Sequence, residues 1–314
     1  MTHTSLISVV RTEGYPCTFT IQNADWAGDA LLKFFAKHRE ALNRDLHETG
    51  AVLLRGLPIS NVDTFEIVAE ALLGTPTPYR GGIAPRIAER GNVYRANGPD
   101  CVGFVAAHNE LSYAPWHPNT LLFGCARPAD SGGATVLWDG RRVFAKLSPE
   151  VTEDFQHRGV MYVQHLPNEA TTVKSWRQAF ESDNRDEVYK YCVEQYTSAE
   201  WTEIGLLTTN ITPAVLVRDG HQVWFNQAQW LQQNPAQSDI TDFEAWRNHL
   251  GYGALFGDGA PIPVSHLEEI AVALEDCAVP VHWEAGDILL VDNELSLHGR
   301  EPFTGPRQVF VAFA

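Results

Sequence analysis

Apolar positions recur at helical spacing twice in the first quarter of the chain. Leu31, Phe35, Leu42 and Leu46 share one face of residues 26–46, with charged residues between them, which predicts an amphipathic helix starting near Asn23 or Asp25. Phe65, Val68 and Leu72 repeat the pattern over 63–73, with Asp63 as the expected cap. Between the two, Ala51–Leu54 is a short apolar run closed by Arg55-Gly56-Leu57-Pro58, and it reads as a buried strand ending in a turn. Residues 76–103 are rich in Gly, Pro and Arg, have no period, and read as loop.

From residue 104 the pattern changes to short β-like runs: the segment holding His108, Thr120–Gly124, Thr135–Trp138 after the Gly132-Gly133 turn, and Val160–Val163. It resumes at Ala214–Val217 and Gln222–Phe225, joined by the hairpin turn Asp219-Gly220, and again at Ile288–Val291 and Arg307–Phe313. Helices interrupt these runs. Ser148 caps one, with Pro149 at its first position and Gly159 as its stop. Residues 168–205 are polar with Trp176, Phe180 and Tyr189 as anchors, 241–250 read as helical, and Ser265 with Glu268 predicts a capping box for 266–276. The expected fold is mainly β with α insertions: a double-stranded β-helix, or jelly roll, flanked by helices. It forms one domain over 1–314, with helical lid-like insertions at 168–205 and 226–276.

Composition narrows the function classes. Thirty-nine acidic against 23 basic residues give a net charge of −16, which argues against a nucleic-acid surface built on clustered Lys and Arg. The first residues do not form a signal peptide, and no apolar run approaches the roughly 20 residues that span a bilayer. Cys17, Cys101, Cys125, Cys192 and Cys277 are widely spaced, with no C-x-x-C, so neither a disulfide framework nor a zinc site is expected. The expected setting is the cytoplasm, with no membrane or nucleic-acid partner.

Candidate chemistry lies in His108 and Glu110, with His298 far downstream. Residues two apart on a strand point to the same side, so His108 and Glu110 reach one metal while Asn109 faces away. Two imidazoles and one carboxylate on one face leave the opposite face open, the arrangement of non-heme Fe(II) oxygenases. His-x-Glu alone is a weak signal in a chain with 12 histidines. The segment GDILLVDNELSLHGREPFTGPRQVFVAFA strengthens it by following a strand with His298 and then Arg307. A 2-oxoglutarate co-substrate calls for such a grouping, with a guanidinium to pair with its distal carboxylate. Arg300 is a candidate contact to substrate or 2-oxoglutarate. Tyr79, Arg80 and Arg86, in the loop before the metal strand, are candidates for a substrate carboxylate, and Asn226 for reaching the site. Trp224 and Phe225 read as core, and the Gln-rich 227–237 as a solvated loop.

The matching segments are GAVLLRGLP at 50–58, AHNELSY at 107–113, PADSGGATVL at 128–137, VWFNQ at 223–227 and GDILLVDN…HGREPFTGPR at 286–307. On these the chain resembles the TauD/TfdA-like Fe(II)/2-oxoglutarate-dependent dioxygenases, and within them the subgroup around the syringomycin-biosynthesis hydroxylase. The resemblance implies that His108, Glu110 and His298 bind Fe(II), that Arg307 pairs with the distal carboxylate of 2-oxoglutarate, and that Thr135 donates a hydroxyl to it. It implies O2-dependent oxidation, chiefly hydroxylation, of a small amino-acid-like molecule in secondary metabolism, with release of succinate and CO2. Many relatives have Asp where this chain has Glu110, and halogenating relatives have Ala or Gly. Other outcomes of the same chemistry are desaturation, epoxidation and cyclisation, or action on an amino acid tethered to a carrier protein. A zinc hydrolase and a non-catalytic jelly-roll binding protein are the rival classes.

Overall fold

The computed structural model describes residues 7–22, 25–84, 86–96, 102–171, 173–232 and 243–314. Its largest sheet has eight strands, in the order Ser8–Thr12, Cys17–Gln22, Ala51–Arg55, Ile288–Asp292, Thr120–Arg127, Gln308–Phe313, Val93–Arg95 and Ile87–Arg90. Neighbours are antiparallel except for Cys17–Gln22 beside Ala51–Arg55. The middle strands are apolar at nearly every position because both faces of the sheet are covered. Val52, Leu54, Leu122, Ile288, Leu290 and Phe310 pack on helices Ala30–Thr49 and Val62–Leu73 through Phe35, Leu42, Phe65 and Val68. Leu53, Leu121, Phe123, Leu289, Val291 and Val309 alternate with them and face the other way.

That second face is covered by a four-stranded sheet in the order Val279–Val281, Thr135–Asp139, Ser296–Arg300 and Val105–His108, whose Val136, Leu137 and Leu297 join the same core. A further four-stranded sheet holds Ser198–Trp201, Gly205–Thr212, Val160–Pro167 and Gly251–Phe256. The hairpin Val215–Arg218/His221–Trp224 turns through Asp219 and Gly220 at φ of 52° and 79°, the left-handed pair that a two-residue turn requires. Among the described residues these sheets stay separately hydrogen-bonded, and no closed barrel forms. The fold is mixed α/β with several sheets, a coarser architecture than the expected jelly roll.

Several expectations need correction. Residues 76–103 are not all loop: Ile87–Arg90 and Val93–Arg95 extend the large sheet. Ile87–Arg90 is an exposed edge held by backbone pairing, so it leaves no hydrophobic pattern. Among the described residues of 168–205 only Trp176–Phe180 and Arg185–Gln195 are helical, and the segment ends in strands. In 226–276 the buried strand Gly251–Phe256 lies between helices Phe243–Trp246 and Val264–Cys277, and residues 233–242 lie outside the described residues.

Caps moved as well. Asn61, not Asp63, caps the second helix by accepting from the Thr64 amide at 3.0 Å. The helix Val264–Cys277 follows Pro263 with no side-chain cap, because Ser265 is already inside its first turn, and the capping box is absent. The first helix starts at Ala30, with Asp29 at the cap position, and Asn23 lies outside the described residues. Ser148, Pro149 and Gly159 bound their helix as expected. Among the described residues no helix is long and apolar enough to cross a membrane. Cys17, Cys125, Cys192 and Cys277 are buried free thiols, and Cys101 lies outside the described residues.

Candidate metal centre

His108 ends the strand Val105–His108 and faces His298 directly across the ladder, with ring centroids 4.2 Å apart. The register shifts between His298 and Arg300. At Gly299 between them a Cβ would meet the Val105 carbonyl oxygen at 2.5 Å, so only glycine lets the two strands close there. Phe123 of the large sheet stands 5.5 Å from the His298 ring, which places the imidazoles between the two packed sheets.

Glu110 arrives by another route than the one expected. The strand stops at His108, and the chain reverses through a turn in which Leu111 takes φ of 58°. Asn293, fully buried, fixes that turn. Its Oδ1 accepts from the Glu110 amide at 2.7 Å, and its Nδ2 donates to the carbonyls of Glu110 and Pro118, both at 2.9 Å. Asn109 turns away and donates to the Asn293 carbonyl at 2.6 Å. One ligand atom from each of His108, Glu110 and His298 lies within 4.8 Å of the other two, and all three residues are buried.

Protonation states suit a cation. Burial, then the neighbouring His298, pulls the His108 pKa down to about 3, so its imidazole is neutral. Its Nδ1 lies 2.8 Å from the Ala106 carbonyl, which makes Nδ1 the donor and leaves Nε2 as the ligand atom. Burial works to raise the Glu110 carboxyl, but Arg86, helped by His298 and His108, holds it well below the usual carboxylate range. Arg86 Nη2 reaches Glu110 Oε2 at 2.5 Å, and the Tyr79 hydroxyl donates to Oε1 at 2.9 Å. The neutral His108 imidazole, the facing His298 ring and an ionised carboxylate, oriented by these contacts, fit Fe(II).

The other candidates separate into three places. Thr135 pairs in register with Arg300, two residues along the strand from His298. Its Oγ1 accepts from the Trp283 indole at 3.1 Å, which leaves the hydroxyl proton to be donated elsewhere. Arg300 is buried, donates to the Gly103 carbonyl at 2.8 Å and lies beside Arg307. Burial, then the like charge of Arg300, lowers the Arg307 pKa to about 10. Two cations held this close suit a carboxylate ligand, which would relieve their repulsion. Arg80 is elsewhere: it lines a small cavity with Phe180, Glu187 and Tyr191. Asn226 spends its amide on the Ala214 carbonyl and the Ala228 amide, both at 3.1 Å, so it shapes a turn.

Gln227 was misjudged from its Gln-rich surroundings. It is 2% exposed, and neither its Oε1 nor its Nε2 has a hydrogen-bond partner. The helix Ala228–Gln232 that follows it packs against the metal strand Val105–His108. Its place in VWFNQ, directly after core residues, was the available signal.

A facial His-Glu-His group between packed sheets, with Arg300 two residues along the strand from His298 and Arg307 beside it, defines a metal-dependent oxygenase class. The family model for the taurine catabolism dioxygenase TauD, TfdA family matches residues 13–313, and the chain belongs to that family. It is an Fe(II)/2-oxoglutarate-dependent oxygenase. Over 278 residues it is 31% identical to the clavaminate synthase-like protein At3g21360 of Arabidopsis thaliana, covering 85% of this chain and 82% of that one. It is 28% identical over 301 residues to the dapdiamide synthesis protein DdaC of Enterobacter agglomerans, covering 93% and 90%. Among solved structures, an asparagine oxygenase in complex with Fe(II), 3-hydroxyasparagine and succinate superposes with a TM-score of 0.55 at 15% identity, covering 91% of this chain and 79% of that one.

Proposed function

We propose that this oxygenase hydroxylates a small amino-acid-like molecule in secondary metabolism, with His108, Glu110 and His298 holding Fe(II) and Arg307 with Thr135 holding the distal carboxylate of 2-oxoglutarate. The observation that carries the reading is the strand Ser296–Arg300, which bears His298 opposite His108 and, two residues on, Arg300 opposite Thr135. Metal end and anion end are thereby spaced along one rigid element. Iron and 2-oxoglutarate, when bound, supply the oxidising power drawn from O2, and succinate and CO2 are released. The chain's own part is orientation. Tyr79 and Arg86 fix the Glu110 carboxylate, and the Trp283 indole sets the Thr135 hydroxyl.

The amino-acid class is supported by the relatives, one described as a dapdiamide synthesis protein and one as an asparagine oxygenase, and by the motif likeness to the syringomycin-hydroxylase subgroup. We read the chain as one double-stranded β-helix domain with the segments around 168–205 and 226–276 as coverings of its mouth. A net charge of −16 favours a free small molecule over one tethered to a carrier protein, itself commonly acidic. Buried free thiols favour a reducing compartment, the cytoplasm. Anaerobic addition of Fe(II) and 2-oxoglutarate tests the reading. A charge-transfer absorption band is expected in the unmodified protein, perturbed by the right amino acid and lost in His298→Ala. A chlorinated product formed in step with succinate when chloride is supplied would remove Glu110 from the metal and sink the assignment.

A further inference from the structure

A cavity of about 480 Å³ opens between the segment carrying Tyr79 and Arg86, Tyr94 of the strand Val93–Arg95, the segment carrying Lys174 and Glu181, and Tyr252. Its floor is therefore the same Tyr79–Arg86 pair that grips Glu110 from the other side. The polar groups facing it are mostly donors. The Arg86 side chain is 8% exposed, and its Nε is buried with no hydrogen-bond partner, while Nη1 serves the Ala96 carbonyl and Nη2 serves Glu110. The Tyr94 hydroxyl accepts from the Tyr79 amide at 3.0 Å, so its own proton is left to give.

Lys174 completes the set. Its Nζ meets a carbonyl, that of Gly82 at 3.1 Å, and not a carboxylate. It stands 5.5 Å from the centroid of the Tyr79 ring, over which Arg86 lies at 5.1 Å, so two cations converge on one aromatic side chain. Burial and the charge of Arg86 lower the Lys174 pKa to about 8, as expected for a cation held beside a like charge. The only acid lining the cavity among the described residues is Glu181, which is exposed at its edge.

We infer that this cavity is the subsite for the substrate's carboxylate, with Lys174 as its anchoring cation and Glu181 at the mouth as partner of the substrate's ammonium group. The inference rests on the amino-acid reading above and adds to it which end of the molecule is held, and by what. An entering carboxylate offsets the repulsion between Lys174 and Arg86, whereas an uncharged amide of the same shape gives nothing in return for desolvating the lysine. Arg86 reaches from the cavity to Glu110, so one guanidinium sets the position of the bound anion against that of the metal carboxylate.

The test uses the full chain with Fe(II), 2-oxoglutarate and a panel of free L-amino acids, each beside its C-terminal amide. Succinate formation and the anaerobic charge-transfer band are both read. At least one free acid is expected to stimulate succinate formation and perturb the band while its amide does neither. Lys174→Met is expected to raise the KM for that acid about thirtyfold while the substrate-free band keeps its intensity, which also reports an intact fold. Lys174→Arg should recover most of the loss, and Glu181→Gln should raise KM less without admitting the amide. An unchanged KM in Lys174→Met, or equal response to acid and amide, overturns the subsite and leaves the amino-acid reading standing. A panel without any response overturns both, and a missing band in the unmodified protein overturns the oxygenase assignment itself.

Discussion

Arg86 and Arg307 are two enclosed arginines in opposite electrostatic company. Arg86 meets a carboxylate at 2.5 Å and shares it with the Tyr79 hydroxyl. Arg307 lies beside another arginine, and burial, then that like charge, lowers its pKa to about 10. A guanidinium paired with a buried carboxylate does structural work in the metal-free protein. One set beside a like charge gains from an arriving anion, as the role proposed for Arg307 requires.

Removing each partner should separate the two roles. Arg86→Met leaves Glu110 buried without its cation and should cost about 3–5 kcal/mol of stability in the metal-free protein. Added Fe(II) or Co(II) should restore much of that loss, because the metal then supplies the missing positive charge. Chemical denaturation with and without metal checks this, and an equal response of variant and parent to metal would erase the distinction between the two arginines. Arg307→Ala should instead raise the apparent 2-oxoglutarate constant about a hundredfold. If the constant does not move, Arg300 holds that end.

Thr135→Ala should weaken 2-oxoglutarate only several-fold, the loss of about one neutral hydrogen bond worth roughly 0.5–1.5 kcal/mol. A loss as large as that in Arg307→Ala would make the hydroxyl, not the guanidinium, the main anchor. A further effect concerns pH. Lys174 resembles Arg307 in lying beside a like charge, and its pKa is lowered from 10.5 to about 8. Between those values the unfolded chain holds a proton that the native state has released, so stability rises with pH across that window. Lys174→Met should flatten the rise in denaturation midpoints measured from pH 7.5 to 10, and an unaltered slope would show that the lysine is not held as described.

Much of this site was legible in the sequence, though not always for the right reason. His108 was read in a short β-like run and His298 after the turn that follows Ile288–Val291, but the strand Ser296–Arg300 that sets the two face to face shows only in the fold. Glu110 was placed by alternation along a strand, yet the strand ends at His108 and the carboxylate is returned by a left-handed turn pinned by Asn293. That asparagine lies beyond any local pattern, since its partners, the backbone of Glu110 and Pro118, are more than 170 residues away in sequence. Tyr79 and Arg86 were picked out as polar residues in a loop before the metal strand, but only the fold shows that they grip Glu110. Gln227 was hidden by the opposite error, because a run of glutamines looks solvated whatever packs over its first member.

The cross-strand meeting of His108 and His298 also orders events in time. Among the described residues Val105–His108 pairs only with Ser296–Arg300, and the strand Gln308–Phe313 inserts between Thr120–Arg127 and Val93–Arg95. A ribosome-bound chain that has emerged only as far as the hairpin at Asp219-Gly220 therefore carries one imidazole and one carboxylate of the site and has no second imidazole to chelate with. Long-range pairings of this kind close late and slowly. Iron capture thus becomes a report that the last strands have docked, and a nascent or half-folded chain is spared from loading a redox-active ion before its surroundings are complete.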